Sequence, residues 1–306
     1  MTEKTGITVT GLSKQFDKIQ ALHQVSTTIQ KGSIFGLIGS NGAGKSTFLR
    51  LLAGIYRPDE GQILIDGQPV YENEVLKQRI FYISDDQFYF PNSNMEELAA
   101  YFAVIYQKFS YEKFYELTEL FRLDSKRKLN TFSKGMQKQA HIILALSCRP
   151  DYLFCDETFD GLDPVMRQAV KRLLADAVAE HQMTPIIASH NLRELEDICD
   201  HIALLHKGAL LFQQDLDDMK LNLQKIQAVF TGDAAAIDQQ LKQLPLLNLE
   251  RRGSMVTLVA RGTREELDSR LSALHPTFYE FIPLTLEEIF ISEMGDRGYD
   301  FEHLLA

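Results

Sequence analysis

The nine residues GSNGAGKST, Gly39 to Thr47, constrain this chain more than any other stretch. They follow GSIFGLIG, which reads as a short buried strand, and lead into STFLRLLAGIY, whose apolar residues recur at helical spacing until Gly54 and Pro58. A strand that turns into a helix through this loop fits G-x-x-x-x-G-K-[ST] in its required context. Glycines let backbone N–H groups curl around phosphate oxygens without Cβ clashes. The helix that starts there adds the positive end of its dipole. Gly39, Ser40, Asn41, Gly42, Ala43, Gly44 and Thr47 are therefore candidates for a phosphate cradle. Lys45 is the candidate charge for the terminal phosphates of a nucleotide, and Ser46 the candidate hydroxyl for Mg2+.

Buried strands alternate with helices around that loop. YLFCDE is followed by the amphipathic DPVMRQAVKRLLADAVAEH, opened by Asp163-Pro164, and then by TPIIASH. This order predicts a doubly wound α/β core. ITVTGLSKQF, ALHQVSTTI and GQILIDGQPV add strands, the last turning at Asp66-Gly67, and ALLHKGALLF reads as a hairpin through Lys207-Gly208. NLRELEDICDHI reads as helical. From about 86 to 148 the chain is aromatic-rich and helical, which predicts a helical subdomain inserted in the core. After about Lys220 the pattern becomes strand-helix-strand-strand-helix-strand, a ferredoxin-like order, with a last helix from TLEEIF. The expected division is 1–220 for the core and 221–306 for a small α+β domain.

With 306 residues, 45% of them hydrophobic and 24% charged, the chain can fill both cores. A net charge of −10 argues against a nucleic-acid-coating role, which needs a basic face. Cys148, Cys155 and Cys199 are odd in number and lack metal-ligand spacing, so buried reduced thiols of a cytosolic protein are expected. The N-terminus has no apolar signal core, and no run approaches the roughly 20 apolar residues of a membrane span.

Asp156 and Glu157 end a buried strand, where doubly wound sheets bind ligands. Asp156 can support Mg2+ directly or through water. Glu157 can orient or deprotonate an attacking water. IIASHN repeats the geometry and sets His190 at the mouth of a strand, where an imidazole can hydrogen-bond a terminal phosphate. Taken singly, these are equally solvated strand ends and a capping histidine; the phosphate loop turns them toward chemistry. NTFSKGMQKQA poses a different problem. Ser133 can cap the helix that follows, yet Gly135 in its first turn is costly. A helix start with Ser and Gly suits a phosphate. One cradle already exists, so a second would serve a nucleotide held by another copy.

In this order, GSNGAGKST, FSKGMQKQ, YLFCDE, DGLD and SHN resemble the motifs of the ATP-binding subunit of an ATP-binding cassette (ABC) transporter, over about residues 6 to 220. The resemblance implies a P-loop ATPase core that binds ATP and Mg2+, with Glu157, His190 and Lys45 as catalytic residues. It implies a head-to-tail dimer in which each ATP lies between one copy's phosphate loop and the other copy's Ser133 and Gly135, with Asp163 of DGLD also at the nucleotide. It places adenine on Phe16. It further implies a separate integral-membrane permease subunit, with this chain peripheral on the cytoplasmic face of the membrane. Three departures stand out: Lys134 in place of a Gly, Thr158 in place of a Pro, and Asp85 where a Gln usually touches Mg2+. Asp85 is thus a third candidate metal ligand beside Ser46 and Asp156, with Gln87 as the alternative. Phe88, Tyr89 and Phe90 are expected to dock a helix of the permease. The tail ending LTLEEIFI resembles an exporter branch that includes antibiotic-resistance ATPases; its domain is expected to regulate or stabilise the dimer, or to pack inertly. Two rivals are a soluble cassette protein of ribosomes or DNA, disfavoured by a single cassette and an acidic balance, and a regulatory nucleotide sensor with slow or no hydrolysis, motivated by Asp85 and Lys134.

Overall fold

The computed structural model describes residues 5–86, 88–231 and 234–296. The first two strands, β1 (Thr5–Phe16) and β2 (Ile19–Gln30), turn Ile7, Val9, Leu12, Leu22, Val25 and Ile29 into one core. With β4 (Glu60–Ile65) and β5 (Gln68–Pro69) they form an antiparallel sheet of order β2-β1-β4-β5.

The second sheet has six strands in the order β10-β9-β3-β8-β7-β6. They are β3 (Phe35–Ile38), β6 (Ile80–Ile83), β7 (Tyr152–Asp156), β8 (Thr184–Ser189), β9 (His201–His206) and β10 (Ala209–Asp215). From β6 to β9 neighbours run parallel. β3, β7 and β8 are buried at every residue, as the continuous apolar runs of a doubly covered sheet require. Each Leu, Ile or Phe fully buried in this core contributes roughly 1.5–3 kcal/mol. The register sets Ile38 opposite Ser189 and Asp156 opposite Ala188. Residues 39–44, Glu157 and His190 therefore leave the sheet at one edge, the carboxyl end where such sheets bind ligands.

Helix α1 (Lys45–Leu52) follows β3, and α2 (Glu74–Lys77) precedes β6. The aromatic-rich insertion is helical as expected: α3 (Met95–Ile105) opens on an Asn94–Glu97 capping box, α4 (Tyr111–Leu120) on Ser110, and α5 (Lys134–Ser147) on Ser133. The long α6 (Pro164–His181) starts at Asp163-Pro164. The helix expected over NLRELEDICDHI is shorter, because α7 (Leu192–Leu195) stops early. Asp200 explains this: its carboxylate accepts the Ile34 N–H at 2.7 Å and its own N–H reaches the Ile34 carbonyl at 2.9 Å, which draws the chain into β9. Cys148, Cys155 and Cys199 are buried and unpaired.

The chain divides into two compact units, 1–213 and 214–306, so α8 (Leu216–Asn222) opens the second unit rather than closing the first. The second unit contains β11 (Leu223–Val229), α9 (Ala234–Leu241), β12 (Leu246–Arg252), β13 (Met255–Arg261), α10 (Arg264–Ser272), β14 (Phe278–Ile282) and α11 (Leu286–Asp296). Its antiparallel sheet runs β12-β13-β11-β14, the ferredoxin-like arrangement. Ile226, Val256, Leu258, Leu267 and Leu271 fill its core. Among the described residues, no helix is long and apolar enough to cross a membrane.

Candidate functional site

The loop after β3 needs its glycines for two separate reasons. A Cβ on Gly39 would lie 2.4 Å from the Leu205 carbonyl oxygen, and one on Gly44 would lie 2.6 Å from that of Ala21. Gly42 meets nothing within 4 Å but sits at φ 79°, a left-handed conformation that favours glycine. The bends this permits bring carbonyls back onto α1. Lys45, only 5% exposed, donates to the carbonyls of Gly39 at 2.7 Å and Ser40 at 3.2 Å, and lies 3.1 Å from Glu157 Oε1. Those oxygens compensate the desolvation of the ammonium.

One residue on, Ser46 Oγ donates to Asp156 Oδ1 at 3.0 Å. The other oxygen of Asp156 accepts the Tyr82 hydroxyl at 2.8 Å. Burial, and then the adjacent Asp156 charge, push the Tyr82 pKa up, so the phenol remains a donor. Tyr82 was not among the residues singled out from the sequence. The register of β6 on β7, with Tyr82 opposite Phe154, brings it there, and no local pattern encodes that register.

Glu157 occupies a left-handed backbone conformation at φ 47°. Its N–H donates to the Ala188 carbonyl at 3.1 Å, and its own carbonyl accepts Lys138 Nζ at 2.8 Å. Its carboxylate is shared, Oε1 facing Lys45 and Oε2 lying 3.0 Å from His190 Nδ1. The turn that carries His190 is itself pinned. Ser189 Oγ accepts the Asn191 N–H at 2.9 Å and donates to the buried Glu194 carboxylate at 2.7 Å. Burial pushes the Glu194 carboxyl pKa up against the opposing pull of Ser189 and Arg167. Asp160, also not singled out from the sequence, joins Glu157 and His190 in a group whose ligand atoms lie within 4.8 Å of one another. The Lys45 ammonium beside Glu157 makes that group a poor cation site.

The structure thus brings Lys45, Ser46, Asp156, Glu157 and His190 together. The other candidates lie outside this cluster. Ser133 accepts the Met136 N–H at 3.2 Å and caps α5, a bond worth about 1 kcal/mol. A Cβ on Gly135 would sit 3.0 Å from the Gly161 carbonyl oxygen, so the glycine in the first turn has a packing reason within one chain. Asp163 accepts the N–H groups of Val165 and Met166, both at 3.0 Å, as the cap of α6. Phe16 is partly exposed at the end of β1, edge-on to Tyr56 at 5.3 Å, with Lys14 Nζ 5.4 Å from its centroid. Asp85, 62% exposed, pairs with Lys138 at 3.2 Å rather than with Ser46 or Asp156. Gln87 lies outside the described residues.

These donors fit a magnesium nucleotide. The loop combines open space at Gly42 with a buried ammonium, which suits phosphate. The Ser46 hydroxyl and Asp156 carboxylate are hard oxygen donors, which suit Mg2+. Comparison with known proteins agrees. The ABC transporter family profile matches residues 22–160. The ABC transporter ATP-binding protein YtrB of Bacillus subtilis (strain 168) is 34% identical over 286 residues, covering 94% of this chain and 97% of YtrB. The bacitracin transport ATP-binding protein BcrA of Bacillus licheniformis is 32% identical over 221 residues, covering 71% of this chain and 72% of BcrA. A solved ATP-binding subunit of an ABC transporter is 28% identical with a TM-score of 0.65, covering 71% of this chain and 92% of that one. The chain belongs to the ATP-binding subunits of ABC transporters, a family whose members bind ATP with Mg2+, hydrolyse it, dimerise and power membrane permeases.

Proposed function

We propose that this subunit hydrolyses ATP at the Lys45–Glu157–His190 cluster to power export of a drug, antibiotic or peptide through a separate integral-membrane permease. The observation that carries the chemistry is the contact chain from Lys45 through the two oxygens of Glu157 to His190. Phosphate competes with Glu157 for Lys45, so substrate entry releases the carboxylate to act as base. Glu157 takes a proton from water as the water oxygen bonds to the γ-phosphorus and the bond to the β-bridging oxygen breaks, giving ADP and inorganic phosphate. His190 orients Glu157 through Nδ1, and with both ring nitrogens protonated it would also donate from Nε2 to the phosphate. Ser46 and Asp156 would hold Mg2+, which when bound neutralises charge developing on the phosphate oxygens. Asp85 is left to Lys138. Phe16 stacks on adenine, while Ser133, Gly135 and Asp163 contribute from a second copy. The family's dimers support this arrangement, and BcrA's bacitracin transport supports the substrate class. A slowly hydrolysing nucleotide sensor is the second reading, favoured by the withdrawal of Asp85 to Lys138.

Sedimentation of a hydrolysis-deficient variant tests the two-copy site. An ATP-dependent shift from monomer to dimer is the expected result, and monomers at saturating ATP would overturn it.

The same reading assigns a permease surface in the first unit. A groove of about 380 Å³ is lined by Ile55, Phe81, Phe88, Phe102 and Tyr106 among others. Phe88 is 74% exposed and packs edge-on to Phe90 at 5.5 Å. Phe88→Ala is expected to cost about 2 kcal/mol of permease binding, an aromatic anchor's worth, and to reduce transport while ATP affinity is unchanged. Wild-type transport by this variant would remove Phe88 from the interface.

A further inference from the structure

One face of α5 grips the segment that follows β6. Lys138, 8% exposed, donates to Asp85 Oδ1 at 3.2 Å and to the Glu157 carbonyl at 2.8 Å. His141, a turn further on and also buried, meets the Phe88 carbonyl with Nε2 at 3.0 Å and the Gln137 carbonyl with Nδ1 at 2.9 Å. Gln137 Nε2 donates to the Tyr89 hydroxyl at 3.2 Å and to the Leu129 carbonyl at 3.0 Å. One helix therefore holds Asp85, Phe88, Tyr89 and the peptide of Glu157 at once.

The contact with Glu157 carries the most consequence. A non-glycine residue in a sparsely populated backbone region is strained and persists only where its surroundings fix it. The Glu157 N–H is fixed by Ala188. Its carbonyl is fixed by the Lys138 ammonium and, at a longer 3.3 Å, by the Asp160 N–H. The ammonium is the stronger of the two because its bond is charge-assisted. In turn, burial of that ammonium is offset by Asp85.

We propose that Lys138 is a positioning residue for hydrolysis: it fixes the backbone turn from which Glu157 projects and ties that turn to Asp85. Asp85 then acts as the counterion of Lys138 and not as a metal ligand. Displacement of Asp85 leaves Lys138 only the Glu157 carbonyl, so strain near Phe88 reaches the base without moving the nucleotide. The inference rests on Glu157 being the base.

Lys138→Met keeps the aliphatic stem and removes the ammonium. Its kcat for ATP is expected to fall about 10- to 100-fold, the cost of a small misplacement of a catalytic group, with KM held within about twofold. Hydrogen–deuterium exchange of the nucleotide-free protein should speed up around Glu157 and Asp85, with protection elsewhere unchanged. Lys138→Arg should recover part of both, and Asp85→Asn should loosen its own segment more than the Glu157 turn. Wild-type kcat or unchanged exchange at the Glu157 turn in Lys138→Met would overturn the proposal, as would a loss of protection throughout the first unit. Exchange reads the tie whether or not Glu157 is the base, whereas turnover of Glu157→Gln reads the base alone.

Discussion

Exchange of Glu157 for Gln is expected to lower ATP turnover by about 10²- to 10⁴-fold, the range contributed by a positioned general base. The amide keeps the size of the side chain but cannot accept the proton of the attacking water. The same substitution should tighten ATP binding. Glu157 Oε1 lies 3.1 Å from Lys45 Nζ and would compete with phosphate for that ammonium. Weakening this contact from a charged to a neutral partner removes on the order of 1 kcal/mol of competition, or about fivefold in Kd. Phosphate release in single-turnover assays and equilibrium titration read the two effects separately. Turnover within threefold of wild type would strip Glu157 of its role. Weaker binding would show that Glu157 supports the nucleotide instead of competing with it.

Removal of the ammonium is the second large effect. Lys45→Ala is expected to weaken ATP binding by about 10- to 100-fold, from the loss of charge-assisted hydrogen bonds of roughly 1.5–3 kcal/mol. Lys45→Arg should not restore affinity. The loop closes on a compact ammonium through two carbonyls at 2.7 and 3.2 Å, and a planar guanidinium has a different shape and reach. Titration with a fluorescent nucleotide gives the affinity, and a thermal melt confirms that the variant is folded. Affinity within twofold of wild type would place the phosphates elsewhere.

The cluster at the carboxyl edge of the central sheet was legible in the sequence because each residue is tied to a local pattern. Lys45 and Ser46 stand in a loop whose glycines can be counted, and Asp156, Glu157 and His190 each follow an apolar run long enough to be a buried strand. Tyr82 and Lys138 were not legible. Tyr82 reaches Asp156 through the pairing of β6 with β7, strands separated in sequence by the whole helical insertion. Lys138 reaches Glu157 and Asp85 through the packing of α5, which nothing within a ten-residue window reports. Asp85 shows the same limit from the other side, since its place in the chain suggests a metal while its partner in space is a lysine. The first unit shows the same limit once more, since α7 ended early through a bond between Asp200 and Ile34, 166 residues apart.

At position 135 a side-chain carbon would stand 3.0 Å from the carbonyl oxygen of Gly161. The close approach of these two stretches is therefore one that glycine at 135 allows and a larger residue would disturb. In the proposed assembly, with Gly135 turned to a mate's nucleotide, a side chain at that position would alter the contour offered to the other copy as well as the approach to Gly161.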